Sequence, residues 1–430
     1  MRLEMASYHV KDVQWSDRTG FEHGILYVDQ EALRRLVMAD GDFAGVDIEI
    51  VRPGEAVRLI HVIDVVEPRC KAEGGSTFPG LLGPVKTVGE GRTYRLAGMG
   101  IVSVSEPVAG EATYWSEAVM DMAGPGAEVS SLGSVMALVL NLTPHSEYLR
   151  TDVPEANIQN VMRGSLLAQR YNRQVRVAQL KAAAYLAKAA ALTAPEDIKF
   201  YELAPPSQRL PRVVYLFQVR PLIYGDSFEK LLPTLLHPNE VMDGALVGIR
   251  KGDASSREVT YFYQNPSVIT SLYERDGEDL EFVGVVLFPT MTTDMDAKER
   301  AAEFTAKLMR MLRIDGVCAS SASGGNPWIE FMLCCQKCER AGIKTVLVLP
   351  ESVGAPDDSG FVHYVPEAVS IVSSGRTTQS IALPAMERVI GGSHFFHLDA
   401  SPAGELDIPI QYLLGCTTNL GHGRLAGKEY

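Results

Sequence analysis

The 430-residue sequence is short of basic residues, cysteines and long apolar runs, and each shortage excludes a class of protein. Lys and Arg number 40 against 53 Asp and Glu, so the formal charge of −13 argues against nucleic acid or an anionic membrane as a partner. No apolar run approaches the length that a membrane-spanning helix needs. Six cysteines in a chain of this length indicate free thiols rather than a disulfide framework.

Signal-peptide features are also missing from the first residues, because Glu4, His9 and Lys11 interrupt the apolar positions there. We therefore expect a cytoplasmic protein. A hydrophobic content of 46% and a charged content of 22% are ordinary for a soluble globular protein, and the length allows two or three domains.

Residues 1–150 predict a β-rich domain, because their apolar segments are short and either alternating or β-branched. The predicted strands are residues 24–28, 46–50, 57–65, 92–96, 100–104 and 137–142. A short helix is expected over residues 29–38. Residues 121–128 (DMAGPGAE) predict a glycine–proline turn with an acidic residue at each end.

Residues 151–210 predict a helical segment followed by a linker. The helical pattern covers residues 155–191, in which Leu180, Ala184, Ala187 and Ala191 would lie on one closely packed face. Residues 203–211 (LAPPSQRLP) are proline-rich and predict a linker between two structural halves.

Residues 211–430 predict an α/β domain in which strands alternate with helices. The predicted strands are residues 213–219, 282–288, 316–320, 345–349 and 368–372, and the predicted helices are residues 267–275, 298–312, 328–340 and 385–390. The second of these helices would place Ala301, Phe304, Leu308 and Met311 on one face. Residues 231–263 fit neither pattern. The alternation implies a mostly parallel, doubly wound sheet that is covered on both faces.

A ligand crevice is expected where the strand over residues 316–320 ends. In open α/β sheets ligands bind at the carboxyl ends of the strands, and a helix amino terminus there favours a carboxylate or phosphate. Asn326 would be the N-cap and Pro327 the first helical residue. The candidate substrate-binding residues are Ser321, Ser323, Gly324, Gly325, Asn326 and Glu351. The alternative is an ordinary loop with solvated acidic residues.

The other clustered residues favour structural roles. Cys334, Cys335 and Cys338 lie more than a turn inside the predicted helix, so buried thiols are favoured over a redox pair. Their spacing matches no metal site, and none is expected. His394 and His397 are interpreted as packed or surface histidines.

Several segments, in order along the whole chain, resemble those of one known family. They are KDVQW at Lys11, RPGEAVR at Arg52, DVVEPR at Asp64, FPG at Phe78, VGEGRTYRL at Val88, AGPGAE at Ala123, LKAAAYL at Leu180, PNEVMDGALV at Pro238, FVGVV at Phe282, DAKERAAEFTAKL at Asp296, GNP at Gly325, GIKTVLV at Gly342, LPAMERVIG at Leu383 and TNLG at Thr418. The sequence resembles the α/β proprotein subunit of component B of the glycine, sarcosine and betaine reductases. The longer precursor subunit of D-proline reductase fits less well.

This resemblance implies a cytoplasmic, substrate-binding subunit of a hetero-oligomeric reductase. In the family, a cysteine of the precursor drives chain cleavage and becomes a pyruvoyl group, which captures the amine substrate as a Schiff base. A thiol- or selenol-bearing partner subunit then attacks the activated carbon.

The sequence departs from the family at this cysteine. The corresponding segment, residues 246–259 (LVGIRKGDASSREV), contains none, so no cysteine-derived pyruvoyl and no other cofactor is predicted. Ser255 or Ser256 could replace the cysteine as the source of a pyruvoyl group, and Lys251 could form an imine with a carbonyl substrate. An intact surface loop is the alternative for all three residues.

The loop between the strand over residues 316–320 and the helix over residues 328–340 also departs from the family. Where the family carries acidic residues around GNP, this chain has Ser321, Ala322 and Ser323, and Glu330 alone keeps an acid. Two functions follow. The chain is either a reductase subunit that binds a small polar substrate, amine-containing or less cationic, or a non-catalytic binding or scaffold subunit that has lost the electrophile.

Overall fold

The computed structural model describes residues 1–72, 77–108, 118–149, 166–207, 209–219, 222–227, 232–248, 258–290, 294–321, 326–351, 363–395, 398–418, 420, 422 and 426–428. Within these residues the chain is a mixed α/β protein. No helix of the described part is long and apolar enough to cross a membrane.

The first half of the chain consists mainly of short strands. They are β1 Arg2–His9, β2 Asp12–Ser16, β3 Gly20–Glu22, β4 Ile25–Asp29, β5 Gly45–Val51, β6 Val57–Leu59, β7 Val62–Val66, β8 Arg69–Lys71, β9 Gly91–Ala97, β10 Met99–Ser105, β11 Met120–Asp121, β12 Met136–Thr143 and β13 Asp197–Glu202. The helices are α1 Gln30–Met38, α2 Gly124–Val129 and α3 Leu166–Ala190, with a 3-10 turn at Ser146–Tyr148. The main sheets have the strand orders β13-β1-β9-β8 and β5-β12-β10-β7.

The second half alternates strands with helices. Its strands are β14 Arg212–Val219, β15 Leu222–Ile223, β16 Asp226–Ser227, β17 Thr234–Leu236, β18 Leu246–Val247, β19 Glu281–Pro289, β20 Gly316–Ser321, β21 Lys344–Glu351, β22 Ile371–Arg376, β23 Ser380–Leu383, β24 Arg388–Ile390, β25 Leu406–Pro409 and β26 Ala426–Lys428. Its helices are α4 Pro238–Glu240, α5 Thr260–Gln264, α6 Ser267–Arg275, α7 Met295–Met311 and α8 Trp328–Arg340, with a π-helical turn at Val241–Ala245 and a 3-10 turn at Ile410–Tyr412.

The largest sheet of the described residues has the order β17-β19-β14-β20-β21-β22-β26. Its five inner strands are parallel, and both edge strands are antiparallel to their neighbours. The chain passes from β14 to β19 on one side and then to β20 on the other side of β14. The carboxyl ends of β14 and β20 therefore flank the topological switch point, which is the usual ligand position in such sheets.

Helices cover both faces of this sheet. Ile269 and Leu272 of α6 share a buried cluster with Tyr215 and Phe217 of β14. Helices α7 and α8 pack on the opposite face, where Val214 and Leu216 point. The amino-terminal strands contribute to the α6 side of this core, so the two halves share one cluster.

Contacts between distant parts of the chain cross the expected domain limits near residues 150 and 210, and the limits stay a prediction. Strand β13 pairs with β1, and β24 pairs with β6. Arg58 is fully buried, where its guanidinium binds Asp121 at 2.7 and 2.9 Å and donates to carbonyl oxygens of Pro384, Pro402 and Gly404. This buried pair joins the amino-terminal strands to residues 384–404.

Most predicted elements are present within a few residues of their expected bounds, and three were wrong. Residues 385–390 form no helix; residues 388–390 are β24, because the parallel partner β6 completes their backbone hydrogen bonds. Residues 121–128 are not a plain turn but the end of β11 and most of α2. Residues 57–65 are divided into β6 and β7 at His61, whose φ of 51° cannot continue a strand.

One finer prediction for the helices also fails, and one needs detail. Of the face predicted for α7, Ala301 is buried but Phe304 and Met311 are 37% and 71% exposed, because the small residues Ala302, Thr305 and Ala306 face the sheet instead. Helix α8 is capped by Pro327 without a side-chain hydrogen bond, so Asn326 is not its N-cap. The helix predicted over residues 155–191 is α3; residues 150–165 lie outside the described residues.

Candidate functional site

A buried polar cluster lies at the switch point, between the carboxyl ends of β14 and β20. The hydroxyl group of Ser321 donates to Gln218 Oε1 at 2.5 Å. Gln218 Nε2 donates to the carbonyl oxygen of Pro327 at 2.8 Å and to Glu330 Oε1 at 3.3 Å. The cluster therefore joins both strands to the first turn of α8.

The charged members of this cluster are Lys298 and Glu330. Lys298 Nζ donates to Glu330 Oε2 at 2.5 Å and to the carbonyl oxygen of Asn326 at 3.2 Å. Both side chains are almost fully buried. A charge in such a place is tolerated only when it is paired and hydrogen-bonded, so each ion depends on the other. The pair fixes the backbone at the entry to α8.

The described substrate-binding candidates fall into two separate networks. Ser321 and Asn326 belong to the cluster at the switch point. Glu351 ends β21, where it accepts a hydrogen bond from Ser373 at 2.5 Å and lies 3.9 Å from Arg376. Ser323, Gly324 and Gly325 lie outside the described residues, as do the catalytic candidates Lys251, Ser255 and Ser256. The roles assigned to all of these residues remain predictions.

The two ends of the segment 249–257, which carries the catalytic candidates, are joined through the hydroxyl group of Thr260, and one carboxylate holds Thr260 in place. Thr260 donates from its backbone nitrogen to Asp64 Oδ1 at 2.7 Å and from its hydroxyl to Asp64 Oδ2 at 2.5 Å. The backbone nitrogen of Gly248 donates to the same hydroxyl at 2.9 Å. Asp64 and Thr260 thus clamp the chain on both sides of the segment; we call this pair the loop clamp.

The loop clamp is buried, and its carboxyl group lies beside a cation. Burial raises the pKa of Asp64 above its ordinary value, and this effect outweighs the opposite effects of Arg176 Nε, 3.9 Å from Asp64 Oδ2, and of the hydrogen bonds from Thr260. Asp64, Arg176 and Thr260 are all buried. A carboxylate in this position is a rigid anchor, because its oxygens already accept hydrogen bonds from three directions including Val65 N at 2.9 Å.

The turn that precedes the segment is also fixed. Asp243 accepts hydrogen bonds from Thr93 at 2.6 Å and from Gly89 N at 2.7 Å, and it pairs with Lys71. Gly244 has a φ of 92°, and a Cβ there would overlap the carbonyl oxygen of Thr77. Only glycine fits this position without a backbone shift.

Aromatic side chains connect the loop clamp with the carboxyl edge of the sheet. The Tyr215 hydroxyl hydrogen-bonds to Ser320, beside the switch point. The rings of Tyr215 and Phe217 stack at 5.6 Å, and Phe217 lies 5.9 Å from Tyr263. Tyr263 donates to Glu258 at 3.0 Å, directly before the clamp. Burial and the Glu258 charge raise the pKa of Tyr263 well above its ordinary value, which keeps this phenol protonated.

Sequence reasoning missed the central residue of the cluster at the switch point and that of the loop clamp. Lys298 precedes Ala301 and Ala302 by three and four positions, and this spacing on the buried face was the available signal. Asp64 stands in the apolar strand β7, where an acidic residue requires a buried partner. Their partners, Glu330 and Thr260, are too distant in the sequence to be deduced.

The six cysteines are free thiols, as the sequence predicts. Cys334, Cys335 and Cys338 are buried in α8. Burial raises the pKa of both Cys70 and Cys318 to about 11, so these thiols are not nucleophilic at neutral pH. Among the described residues, no group of three or more His, Cys, Asp or Glu side chains could hold a metal ion.

Comparisons with known proteins cover the whole chain. Residues 1–426 match the family model of the glycine/sarcosine/betaine reductase component B subunits. The chain is 32% identical over 454 residues to the glycine reductase complex component B subunits alpha and beta of Acetoanaerobium sticklandii, with 100% of both chains covered. It is 33% identical over 452 residues to the sarcosine reductase complex component B subunit alpha of Peptoclostridium acidaminophilum, again with 100% of both covered.

A betaine reductase complex component B subunit alpha from the same organism is 30% identical over 408 residues, covering 91% of this chain and 88% of the relative. No solved structure matches the chain at a significant level. The family resemblance of the sequence is thus confirmed along its full length. The chain belongs to the family of glycine/sarcosine/betaine reductase component B subunits.

Proposed function

We propose that this protein is the substrate-binding subunit of a cytoplasmic, hetero-oligomeric reductase complex and that it works without a cysteine-derived pyruvoyl group. The observation that carries this proposal is a segment without cysteine, residues 246–259, in a chain that otherwise matches the family throughout. Its relatives bear the names of reductase complex components, which supports a second subunit as partner. That partner supplies the thiol or selenol.

The residues present do not fit a cysteine-derived pyruvoyl. All six cysteines lie outside residues 246–259, and the structure buries Cys70, Cys334, Cys335, Cys338 and Cys416. Cys318 lies on β20, in the middle of the sheet. No thiol is therefore available for cleavage within the segment, and we assign no step to such a group.

Lys251, Ser255 and Ser256 are the remaining reactive candidates, and the loop clamp fixes both ends of the segment that carries them. Because Gly248 is hydrogen-bonded to Thr260, which Asp64 holds in place, the segment between them begins and ends at one place. We propose that Lys251 is the group that would capture a carbonyl substrate as an imine. A serine-derived pyruvoyl at Ser255 or Ser256 is the competing assignment, and it requires a cut chain.

The charge at the sheet edge supports a substrate that is small, polar and less cationic than glycine or betaine. Glu330 is neutralised by Lys298, so its carboxylate offers no net negative charge for an ammonium group. Ser321 and Ser323 stand where the family carries acids. We propose that the substrate reaches the edge beside Asn326 and Glu351, with small amines and their oxidised carbonyl analogues as the first compounds to test.

Intact mass under denaturing conditions tests the electrophile. A single mass for the 430-residue chain supports the proposal, whereas two fragments, one ending in a carbonyl that reacts with a hydrazide, would establish a pyruvoyl. Fragments that disappear in the Ser255→Ala, Ser256→Ala double variant but persist in the exposed Ser401→Ala control would assign the cleavage to this segment.

Borohydride trapping tests the imine. Incubation with small aldehydes, ketones and 2-oxo acids, followed by reduction, is expected to add the reduced substrate mass to the peptide that contains Lys251. The label should disappear in Lys251→Arg and persist in Lys86→Arg, which replaces an exposed lysine. Labelling spread evenly over surface lysines would contradict a reactive Lys251.

A specific observation favours a second candidate function, a binding or scaffold subunit without catalytic activity. Ser321 is fully buried, and its hydroxyl group donates to Gln218 within the cluster, so at this position the edge of the sheet serves packing. A single full-length mass, no trapped imine and unchanged affinity for the partner subunit in Lys251→Arg would favour this function.

A further inference from the structure

Helix α7 has a second apolar stripe that does not face the sheet. Its buried side includes Ala302, Thr305 and Met309. Phe304, Leu308 and Met311 follow one another at spacings of four and three, so they form a continuous stripe on another side of the helix. Phe304 is 37% exposed, Leu308 is half-buried and Met311 is 71% exposed.

This stripe faces away from α8. Lys337 of α8 reaches Glu299 at 3.0 Å and Glu303 at 3.3 Å, which fixes the flank of α7 that borders α8. At 100° per residue, Phe304 and Leu308 project from the opposite flank. They therefore point towards the side of the sheet that carries β19 and the edge strand β17.

On that side of the sheet, an apolar side chain of the edge strand β17 is exposed. Leu235 of β17 pairs with Val286 of β19, and residues directly opposite in an antiparallel pair lie on the same face. Val286 is buried in the cluster that contains α7, so Leu235 belongs to the α7 face. Leu235 is nevertheless 40% exposed. We call the surface of Phe304, Leu308, Met311 and Leu235 the α7 groove.

The charged residues beside the α7 groove indicate what kind of molecule binds there. Arg300 and Lys307 lie along the outer border of the stripe, both exposed, and neither forms an ion pair with the residues that the structure describes. Lys307 Nζ lies 5.8 Å from the centre of the Phe304 ring. A different chain with acidic residues matches this border.

We propose that the α7 groove binds an amphipathic helix of the partner subunit, with an apolar stripe over Phe304, Leu308 and Leu235 and acidic residues against Arg300 and Lys307. The inference rests on the proposed function for the existence of a partner subunit and adds the chemistry by which that partner is recognised. Binding is measured without turnover, so a failure here and a failure of the proposed reaction are distinguishable.

Two synthetic peptides test the α7 groove by fluorescence polarisation. Each has about 20 residues, enough for a stable helix, with the same leucine stripe; one is flanked by Glu and the other by Lys. We expect the Glu peptide to bind the full chain about tenfold more tightly than the Lys peptide, a preference that salt removes. Equal affinity of the two peptides would overturn the proposal.

Variants locate the binding. Phe304→Glu and Met311→Glu are expected to weaken the Glu peptide about tenfold, because they place like charge in the groove. Leu192→Glu is the matched control, since Leu192 is 86% exposed at a different site. Far-UV circular dichroism should be unchanged in all three. An equal loss in Leu192→Glu, or a homodimer in analytical ultracentrifugation that Met311→Glu dissociates, would refute the assignment to a different chain.

Discussion

Replacing Lys298 by methionine is expected to destabilise the protein far more than the loss of its hydrogen bonds alone would suggest. Glu330 would keep the long hydrogen bond from Gln218, at 3.3 Å, but its buried carboxylate would lose the ammonium group that balances its charge. Breaking a buried ion pair by removing one partner costs about 3–5 kcal/mol in the free energy of unfolding. The lost donation to the carbonyl oxygen of Asn326 adds about 1 kcal/mol.

The double variant Lys298→Met, Glu330→Leu separates pairing from packing. The double variant removes both charges, so no carboxylate is left buried without its cation. Its free energy of unfolding should therefore exceed that of Lys298→Met by about 2 kcal/mol or more. Urea unfolding, followed by circular dichroism, gives these values from the shift in midpoint at constant slope.

Lys337→Met is the matched control for this experiment. Lys337 lies in ion pairs with Glu299 and Glu303, but its side chain is 26% exposed, so its loss should cost at most about 1 kcal/mol. A cost below about 1 kcal/mol for Lys298→Met, or a double variant less stable than both single variants, would refute the reasoning that the cluster depends on paired charge.

Three further perturbations follow from the same structure. Asp64→Asn should raise the rate at which a protease of broad specificity cuts the chain between Gly248 and Thr260 by at least about tenfold. The reason is that the loop clamp loses its charge-assisted hydrogen bonds. An unchanged cleavage rate would argue against the clamp. Gly244→Ala should lower the free energy of unfolding by several kcal/mol, whereas Gly54→Ala should lower it by about 1 kcal/mol. The two glycines have φ values of 92° and 91°, but only a Cβ at position 244 would collide with backbone atoms. Equal losses in urea unfolding would show that the backbone conformation alone determines the cost. Burial lowers the pKa of His422 to about 4, below its unfolded value, so the unfolded chain binds the proton first and stability is lost as the pH falls from about 6.5 to about 4. His422→Phe should flatten this part of the pH profile of the melting temperature, and a profile identical to that of the unaltered protein would contradict a buried neutral imidazole.

Local sequence patterns predicted most helices and strands. Where they failed, pairing between residues far apart in the sequence determined the structure. The unit β20–α8–β21 follows from apolar spacing and a small-residue loop, and its predicted bounds lie within a few residues of the structure. Residues 388–390 became a strand because β6, more than 300 residues earlier, offers a parallel partner. An isolated segment carries no signal of that kind.

The candidate site shows the same division. Its place at the carboxyl edge follows from strand order, which a sequence of alternating elements suggests. Its chemistry depends on Lys298 meeting Glu330 and on Asp64 meeting Thr260, contacts that join separate helices and strands. The exposure of the stripe on α7 could not be predicted, because apolar spacing does not distinguish a face that packs within the chain from one left open.

The loop clamp has a consequence for any form of the protein that is cut between residues 249 and 257. Gly248 would stay bound to Thr260 across the break, β13 and β1 would remain with one fragment, and β24 of the other fragment would remain paired with β6. A nicked molecule would therefore keep its native size and shape and elute from a sizing column together with uncut chains. Only after unfolding would the two pieces come apart.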